Sequence, residues 1–305
     1  MEERRLLISF SGGETSGLMA KLCKERLGNE YDRIETVFSN TSEENEATLV
    51  FVDECDRAFD LGVHWIEADV DPKLGVGTGF TKVDFASAHR HGEIFEAMIA
   101  KYGIPNKAFP HCTRELKARP ILAFARDYLG WAPGTYDCAI GIRIDEIDRM
   151  SEKAKEQRLF YPFVSRWPHR KTGVNETWHA MPFRLRLKGY QGNCKWCWKK
   201  SLRKHLTLMV ESPEVFEFPE RMEAEHANTG SGEGSRVFFR ENRSVADLRH
   251  LAETTKFKRA TDDAREYQID LYSPLALDLS GGCSESCEVN FDFDVDVLQT
   301  VAAHG

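Results

Sequence analysis

The sequence predicts an α/β protein built on a doubly wound parallel sheet, with a partly helical C-terminal appendage. Three observations carry this expectation. An apolar strand at Leu6 to Phe10 runs directly into the turn Ser11-Gly12-Gly13-Glu14-Thr15-Ser16 and then a helix. Strand and helix patterns alternate through the first half of the chain, as in βαβ units whose parallel strands are covered on both faces. From residue 211 the alternation gives way to an acidic, loosely patterned segment.

Taken in order, the first helix is expected from Thr15 to about Arg26. A second strand covers Arg33 to Phe38, a helix Glu43 to Phe59 and a third strand Val63 to Glu67. Helices near Gly92 to Tyr102 and Thr113 to Leu129 precede an apolar strand at Asp137 to Ile142. Gly75-Val76-Gly77-Thr78-Gly79 reads as a mobile loop over the ligand, because no helix start follows it to aim a dipole at phosphate. Asn228 to Ser235 reads as a flexible connector, and Val245 to Thr254 as a helix. The expected division is residues 1–205 as a nucleotide-binding domain with a cysteine site, and 206–305 as an acidic, partly helical appendage.

A chain of 305 residues with 41% hydrophobic content can bury a substantial core. No apolar stretch approaches a membrane span, and Leu6 to Phe10 is too short for a signal peptide, so a soluble cytoplasmic protein is expected. The net charge of −8 is not the footprint of a protein that coats nucleic acid. One stretch, residues 184–205, is both basic and rich in tryptophan. It reads either as a surface for nucleic acid or another polyanion, or as a solvated helix face.

The Ser-Gly-Gly turn is suited to phosphate. Glycines let the backbone fold closely around an anion, hydroxyls donate to its oxygens, and the N–H groups of the following helix present their positive end. Phe38-Ser39-Asn40-Thr41-Ser42-Glu43-Glu44 ends the second strand at the sheet edge where such ligands lie. Asn40 and Thr41 there are read as contacts to a nucleotide, as caps of the next helix, or as both at once. Gly141 to Arg149 places Arg143, Glu146 and Arg149 after another strand, where the planar fork of Arg143 matches an oxyanion and surface ion pairing is the alternative.

Eight cysteines in a cytoplasmic chain argue for metal or redox chemistry at some of them. Cys23 and Cys55 fall on apolar helix faces and read as core residues. Cys194-Lys195-Trp196-Cys197 is a C-x-x-C pair able to clasp a metal ion or cluster, or to act as a redox dithiol. Cys112 stands ahead of a helix, and Cys283 and Cys287 form a C-x3-C near the end.

Together, Ser11 to Ser16, Phe38 to Thr41, His111-Cys112-Thr113-Arg114-Glu115-Leu116-Lys117, Gly141 to Glu146 and Gly192 to Cys197 resemble the phosphoadenosine phosphosulphate (PAPS) reductase family. That family belongs to the PP-loop, or adenine-nucleotide α-hydrolase, superfamily, and Pro182-Phe183-Arg184-Leu185 makes the chain most similar to its bacteriophage-borne members. The resemblance implies a Rossmann-like, HUP-type fold. It implies that Ser11, Gly12, Gly13, Thr15 and Ser16 hold the phosphates of ATP or PAPS, with Asn40 and Thr41 nearby. It makes Arg114, Lys117, Arg143 and Arg149 anion contacts, and gives Glu146 the role of orienting water or Mg²⁺; Arg143, Lys117 and Glu146 are the expected catalytic set.

The Glu-Cys-Gly-x-His motif of true reductases has no counterpart, Ser286-Cys287-Glu288 being the nearest sequence. The Cys-Cys pair of their iron–sulphur branch is also missing, since Cys112 follows His111. What the resemblance then implies is chemistry at the ATP α-phosphate: adenylation with pyrophosphate release, as in sulphur-inserting members of the superfamily. Some of those use a cluster held by three cysteines, and Cys112, Cys194, Cys197 and Cys287 are the expected ligands of a [4Fe–4S] cluster or of zinc. A reductase releasing sulphite and a non-catalytic nucleotide sensor are the alternatives. Expected partners are an adenine nucleotide and a polyanionic substrate, with no membrane; assembly into a homo-oligomer is left open.

Overall fold

Leu6, Leu7 and Ile8 are all fully buried, because the strand they form lies in the middle of a sheet with both faces covered. The computed structural model describes residues 3–230, 234–265 and 291. Its strands are β1 (Arg5–Ser9), β2 (Arg33–Asn40), β3 (Val63–Asp69), β4 (Gly79–Val83), β5 (Asp137–Ala139) and β6 (Leu159–Phe160). The helices are α1 (Glu14–Arg26), α2 (Glu46–Phe59), α3 (Glu93–Tyr102), α4 (His111–Thr113), α5 (Arg119–Asp127), α6 (Pro162–Ser165), α7 (Lys171–His179), α8 (Leu202–Glu211), α9 (Glu217–His226) and α10 (Val245–Thr254).

The strands stand in the order β4-β3-β2-β1-β5-β6, all parallel except β4, which runs antiparallel to β3. Side chains alternate along β1, so Leu6 and Ile8 join α1, α2 and α7 residues in one core while Leu7 joins Val37, Ile66 and α5 in another. The fold is thus Rossmann-like and doubly wound. The chain steps outward from β1 through β2 to β3, then returns to place β5 on the other side of β1. The carboxyl ends of β1 and β5 therefore flank the switch point at which open α/β sheets hold ligands.

Four elements differ from the expected pattern. The glycine loop ends in a strand, β4, whose edge position leaves it without the apolar period that marks a buried strand. The helix expected from Thr113 contains a π turn at Arg114–Ala118, fixed to β2 by Ser39 Oγ donating to the Leu116 carbonyl at 2.8 Å. Helix α2 starts three residues late because Glu43 to Asn45 pair with 193–195: the Asn45 amide donates to Asn193 at 2.7 Å and the Lys195 amide to Glu43 at 3.0 Å. β5 stops at Ala139, after which Gly141 passes so close to α1 that a Cβ there would lie 3.1 Å from the Ser16 Cα.

Among the described residues no core boundary falls at 205. Phe95, Met98 and Ile99 of α3 and Trp196 pack in one cluster with Leu208, Phe216, Met222, Phe238 and Leu248. Cys23 and Cys55 are fully buried. No described helix is long and apolar enough to cross a membrane.

Candidate functional site

β1 leaves the sheet with one further ladder bond, from the Phe10 amide to the Val37 carbonyl at 2.9 Å, and then turns sharply. Gly12 takes φ +83°, and a Cβ on it would come within 2.6 Å of Thr48 Cγ2. Only glycine fits that conformation and contact. The Ser11 and Ser16 hydroxyls share a 2.8 Å hydrogen bond, and Ser16 Oγ donates to the Gly13 carbonyl at 3.0 Å. The two serines thus brace the turn, while the first-turn N–H groups of α1 have no acceptor within the helix. Thr15, at the mouth of the turn, accepts from Arg143 Nη1 at 2.8 Å.

Arg143 reaches Thr15 from the far side of the switch point and is almost fully buried. Asp145 holds it at 3.1 Å and Glu146 at 3.2 Å, and Glu146 also pairs with Arg149. The carboxylate of Glu146 therefore meets two guanidinium groups, and a Mg²⁺ ion on it would compete with both. Two further cations bear on this region. Arg184 grips the buried Glu14 carboxylate at 2.9 and 3.0 Å. Lys171 is buried near Asp263, Arg143, Glu14 and Glu146, and burial pushes its ammonium down to about 8.

Asn40 is at the expected sheet edge and is fully engaged by its neighbours. Its Nδ2 donates to Glu67 at 2.6 Å and to the His89 carbonyl at 2.8 Å, and its Oδ1 accepts from the Ser42 amide at 3.2 Å. Asn40 thus braces the β2–α2 loop. Thr41 is similarly engaged, donating its amide and hydroxyl to Glu44 Oε2 at 2.9 and 2.8 Å. Lys117 Nζ lies 3.8 Å from Glu44 Oε1, whereas Arg114, more exposed, pairs with its neighbour Glu115 at 2.8 Å.

Cys112 and the Cys194–Cys197 pair, more than eighty residues apart in the chain, line one cavity together with Glu44, Lys117 and Trp196. The pairing of 43–45 with 193–195 brings the C-x-x-C loop there, and Lys200 Nζ fixes it by donating to the Cys194 carbonyl at 2.6 Å. His205 Nε2 donates to the Cys197 carbonyl at 3.0 Å; burial pushes its pKa down to about 3, so the ring is a neutral brace. Trp196 Nε1 donates to Glu43 at 2.5 Å, and burial pushes that carboxyl up to about 7. The three sulfurs do not form one of the close ligand groups, within 4.8 Å of one another, found among the described residues. Cys283 and Cys287 lie outside the described residues.

Asn193 couples the two halves of the site. Its Nδ2 donates to the Ser11 carbonyl at 2.8 Å, while its own carbonyl receives the Asn45 amide. The cysteine loop is thereby tied to the Ser11–Gly13 turn.

The basic, tryptophan-rich stretch does not form an aromatic surface for a polyanion. Trp196, Trp198 and Tyr190 belong to the core around α3 and α8, and Lys200, Lys204 and His205 are buried with them. Stacking on bases needs open ring faces, which these residues do not present. Elsewhere, Glu96, Glu225 and His226 bring ligand atoms together, but Arg221 pairs with Glu96 at 2.9 Å and with Glu225 at 3.6 Å, which answers their charge.

No protein-family profile matches the chain, and no solved structure matches it. The chain is 30% identical over 300 residues to "Uncharacterized nin region protein ORF290" of Escherichia phage lambda, covering 94% of this chain and 97% of the relative. The chain belongs to this nin-region protein family. A phage relative agrees with the phage-borne character expected from the motifs. In this nin-region family member, sequence reasoning missed Glu14, Glu44, Lys171 and Asn193, all buried at the site. Asn193 carried a signal, standing directly before the C-x-x-C, but its partner Ser11 is 182 residues away.

Proposed function

We propose that the chain binds an adenine nucleotide with its phosphates on the Ser11–Gly13 turn and acts at the α-phosphate of ATP, in the manner of the PP-loop enzymes that its motifs resemble. The observation that carries this reading is buried Arg143, held by two carboxylates, reaching across the sheet's switch point to the Thr15 hydroxyl at 2.8 Å. A buried guanidinium beside a glycine turn and a helix N-terminus is an arrangement for a polyphosphate, since all three favour negative charge.

In this reading an acceptor oxygen forms a bond to the α-phosphorus, its proton passing to solvent, while the bond from that phosphorus to the pyrophosphate oxygen breaks. Gly12, Gly13 and the start of α1 hold the departing pyrophosphate. Arg143 offsets charge as it develops on the phosphoryl oxygens, with Asp145 and Glu146 fixing its plane, and Lys117 extends positive charge toward the cysteine cavity.

The donor set around that cavity fits a thiolate-bound group, with three cysteines and Lys117 on its walls. A cluster held by Cys112, Cys194 and Cys197 would supply a place for the sulphur that replaces the activated oxygen. The test is product analysis with ATP and with PAPS under anaerobic conditions. AMP and pyrophosphate from ATP support the reading, sulphite from PAPS replaces it with the reductase, and neither product with tight nucleotide binding replaces it with a sensor.

A further inference from the structure

A second basic cavity lies outside the nucleotide site. Phe239 and Arg243 pair through both backbone bonds, at 3.1 and 3.3 Å, and close a tight turn in which Glu241 and Asn242 take φ 61° and 57°. This turn faces the start of α8, whose cap is Ser201. Between them is a cavity of about 130 Å³. A single water needs only about 10–15 Å³ by that measure, so the space accommodates a tetrahedral oxyanion with water.

Lys200, Arg240 and Arg243 converge on this cavity from three backbone positions, each braced by a carbonyl. Lys200 Nζ donates to Cys194 at 2.6 Å, Arg240 Nη2 to Lys199 at 2.7 Å, and Arg243 Nη1 to Arg240 at 3.3 Å. Glu241 is the one carboxylate among the lining residues; it pairs with Arg243 and leaves its side chain 73% exposed, within reach of displacement by a ligand. Leu202, Phe239 and Leu248 form the apolar wall, which strengthens charge interactions by excluding water. The first-turn N–H groups of α8, a ten-residue helix, add their dipole to the same side.

We propose that this cavity binds a phosphate group of the acceptor substrate, one loop away from the cysteine cavity. Lys200 joins the two, since the lysine that lines the phosphate cavity also holds the Cys194 carbonyl. The binding claim stands on these residues alone; its assignment to an acceptor rests on the sulphur-transfer reading above. The phosphate arrives either as inorganic phosphate or monoester, or as a phosphodiester of nucleic acid.

The experiment is titration of the full chain with inorganic phosphate, followed by calorimetry, in wild type, Arg143→Ala, Arg243→Gln and Arg243→Lys. The proposal expects phosphate binding to survive Arg143→Ala, to weaken at least tenfold in Arg243→Gln and to recover largely in Arg243→Lys. Thermal unfolding of each variant verifies folding. A short single-stranded oligonucleotide that competes with phosphate, with the same Arg243 dependence, identifies a phosphodiester; absence of competition identifies a free phosphate or monoester. Binding lost in Arg143→Ala and unchanged in Arg243→Gln, or no phosphate binding by wild type, overturns the proposal. Because Arg143 does not line this cavity, failure of the nucleotide reading leaves the cavity separately testable.

Discussion

Asn193 Nδ2 donates to the Ser11 carbonyl at 2.8 Å, joining the loop that carries Cys194 and Cys197 to the turn that follows β1. Both groups are buried, so the carbonyl has no water to replace a lost donor. Asn193→Ala is expected to cost about 1–3 kcal/mol of stability, the penalty of leaving one buried polar group unpaired. It is also expected to weaken nucleotide binding, although Asn193 is assigned no ligand contact. Urea unfolding and ATP titration of the same variant check both; unchanged stability would remove the structural link.

Gly12 is a sharper test of the turn. Its positive φ and the 2.6 Å approach of Thr48 Cγ2 to a Cβ mean that Gly12→Ala is both strained and overpacked. A loss of about 2–5 kcal/mol is expected from the two effects together. Adding Thr48→Ser removes the clashing methyl and is expected to restore part of the loss, leaving the strain. Thermal unfolding of the single and double variants measures the recovery, and none at all would locate the whole cost in the backbone.

Glu223 provides a pH dependence. Its carboxyl accepts the Phe238 amide at 3.1 Å and the Val245 amide at 2.9 Å, yet burial dominates and pushes it from 4.5 up to about 7. Below pH 4.5 the group is protonated folded or unfolded and contributes no difference. Between 4.5 and about 7 the unfolded chain ionises first, so stability falls as pH rises, and above about 7 that loss is complete. At about 1.4 kcal/mol per unit the ceiling is about 3 kcal/mol, and partial exposure lowers the expectation to about 1–2 kcal/mol. Denaturant midpoints at pH 5 and pH 8 should differ in wild type, and Glu223→Gln should narrow the difference.

The cysteines are expected to divide by place in the fold. Cys112, Cys194 and Cys197 line the cavity, whereas Cys138 is buried in β5. Serine at any of the first three should abolish metal retention in anaerobically purified protein, while Cys138→Ala should leave it intact. Metal analysis with visible absorbance reads the result; equal metal content in all variants would separate the cavity from metal binding.

The parts legible in sequence were those made of contiguous residues. Leu6 to Ile8 and the alternation after them announce a buried strand and a βα turn, and both stand where expected. The π turn at Arg114–Ala118 has no residue signature, because an i→i+5 bond selects no side chain. β4 was hidden by its edge position, where Phe80 and Val83 are half-buried and Thr81 and Lys82 exposed. Trp196 and Trp198 look like surface aromatics beside lysines, and their burial depends on α3 and Phe238, distant in the chain. Asn40 was placed correctly at the sheet edge, while its bonds to Glu67 and His89, 27 and 49 residues away, left no local mark in the sequence.

The central claim is that Arg143 and the Ser11–Gly13 turn form one polyphosphate site, and equilibrium ATP binding to Arg143→Ala and Arg143→Lys tests it most directly. Wild type should bind ATP. Arg143→Ala should weaken binding by roughly thirtyfold or more, as expected for a buried charge-assisted contact of about 2–5 kcal/mol. Arg143→Lys, which keeps the charge and loses the fork, should fall between, with circular dichroism confirming that both variants fold. Wild type that binds neither ATP nor PAPS, or a folded Arg143→Ala that binds ATP as wild type does, would contradict the account.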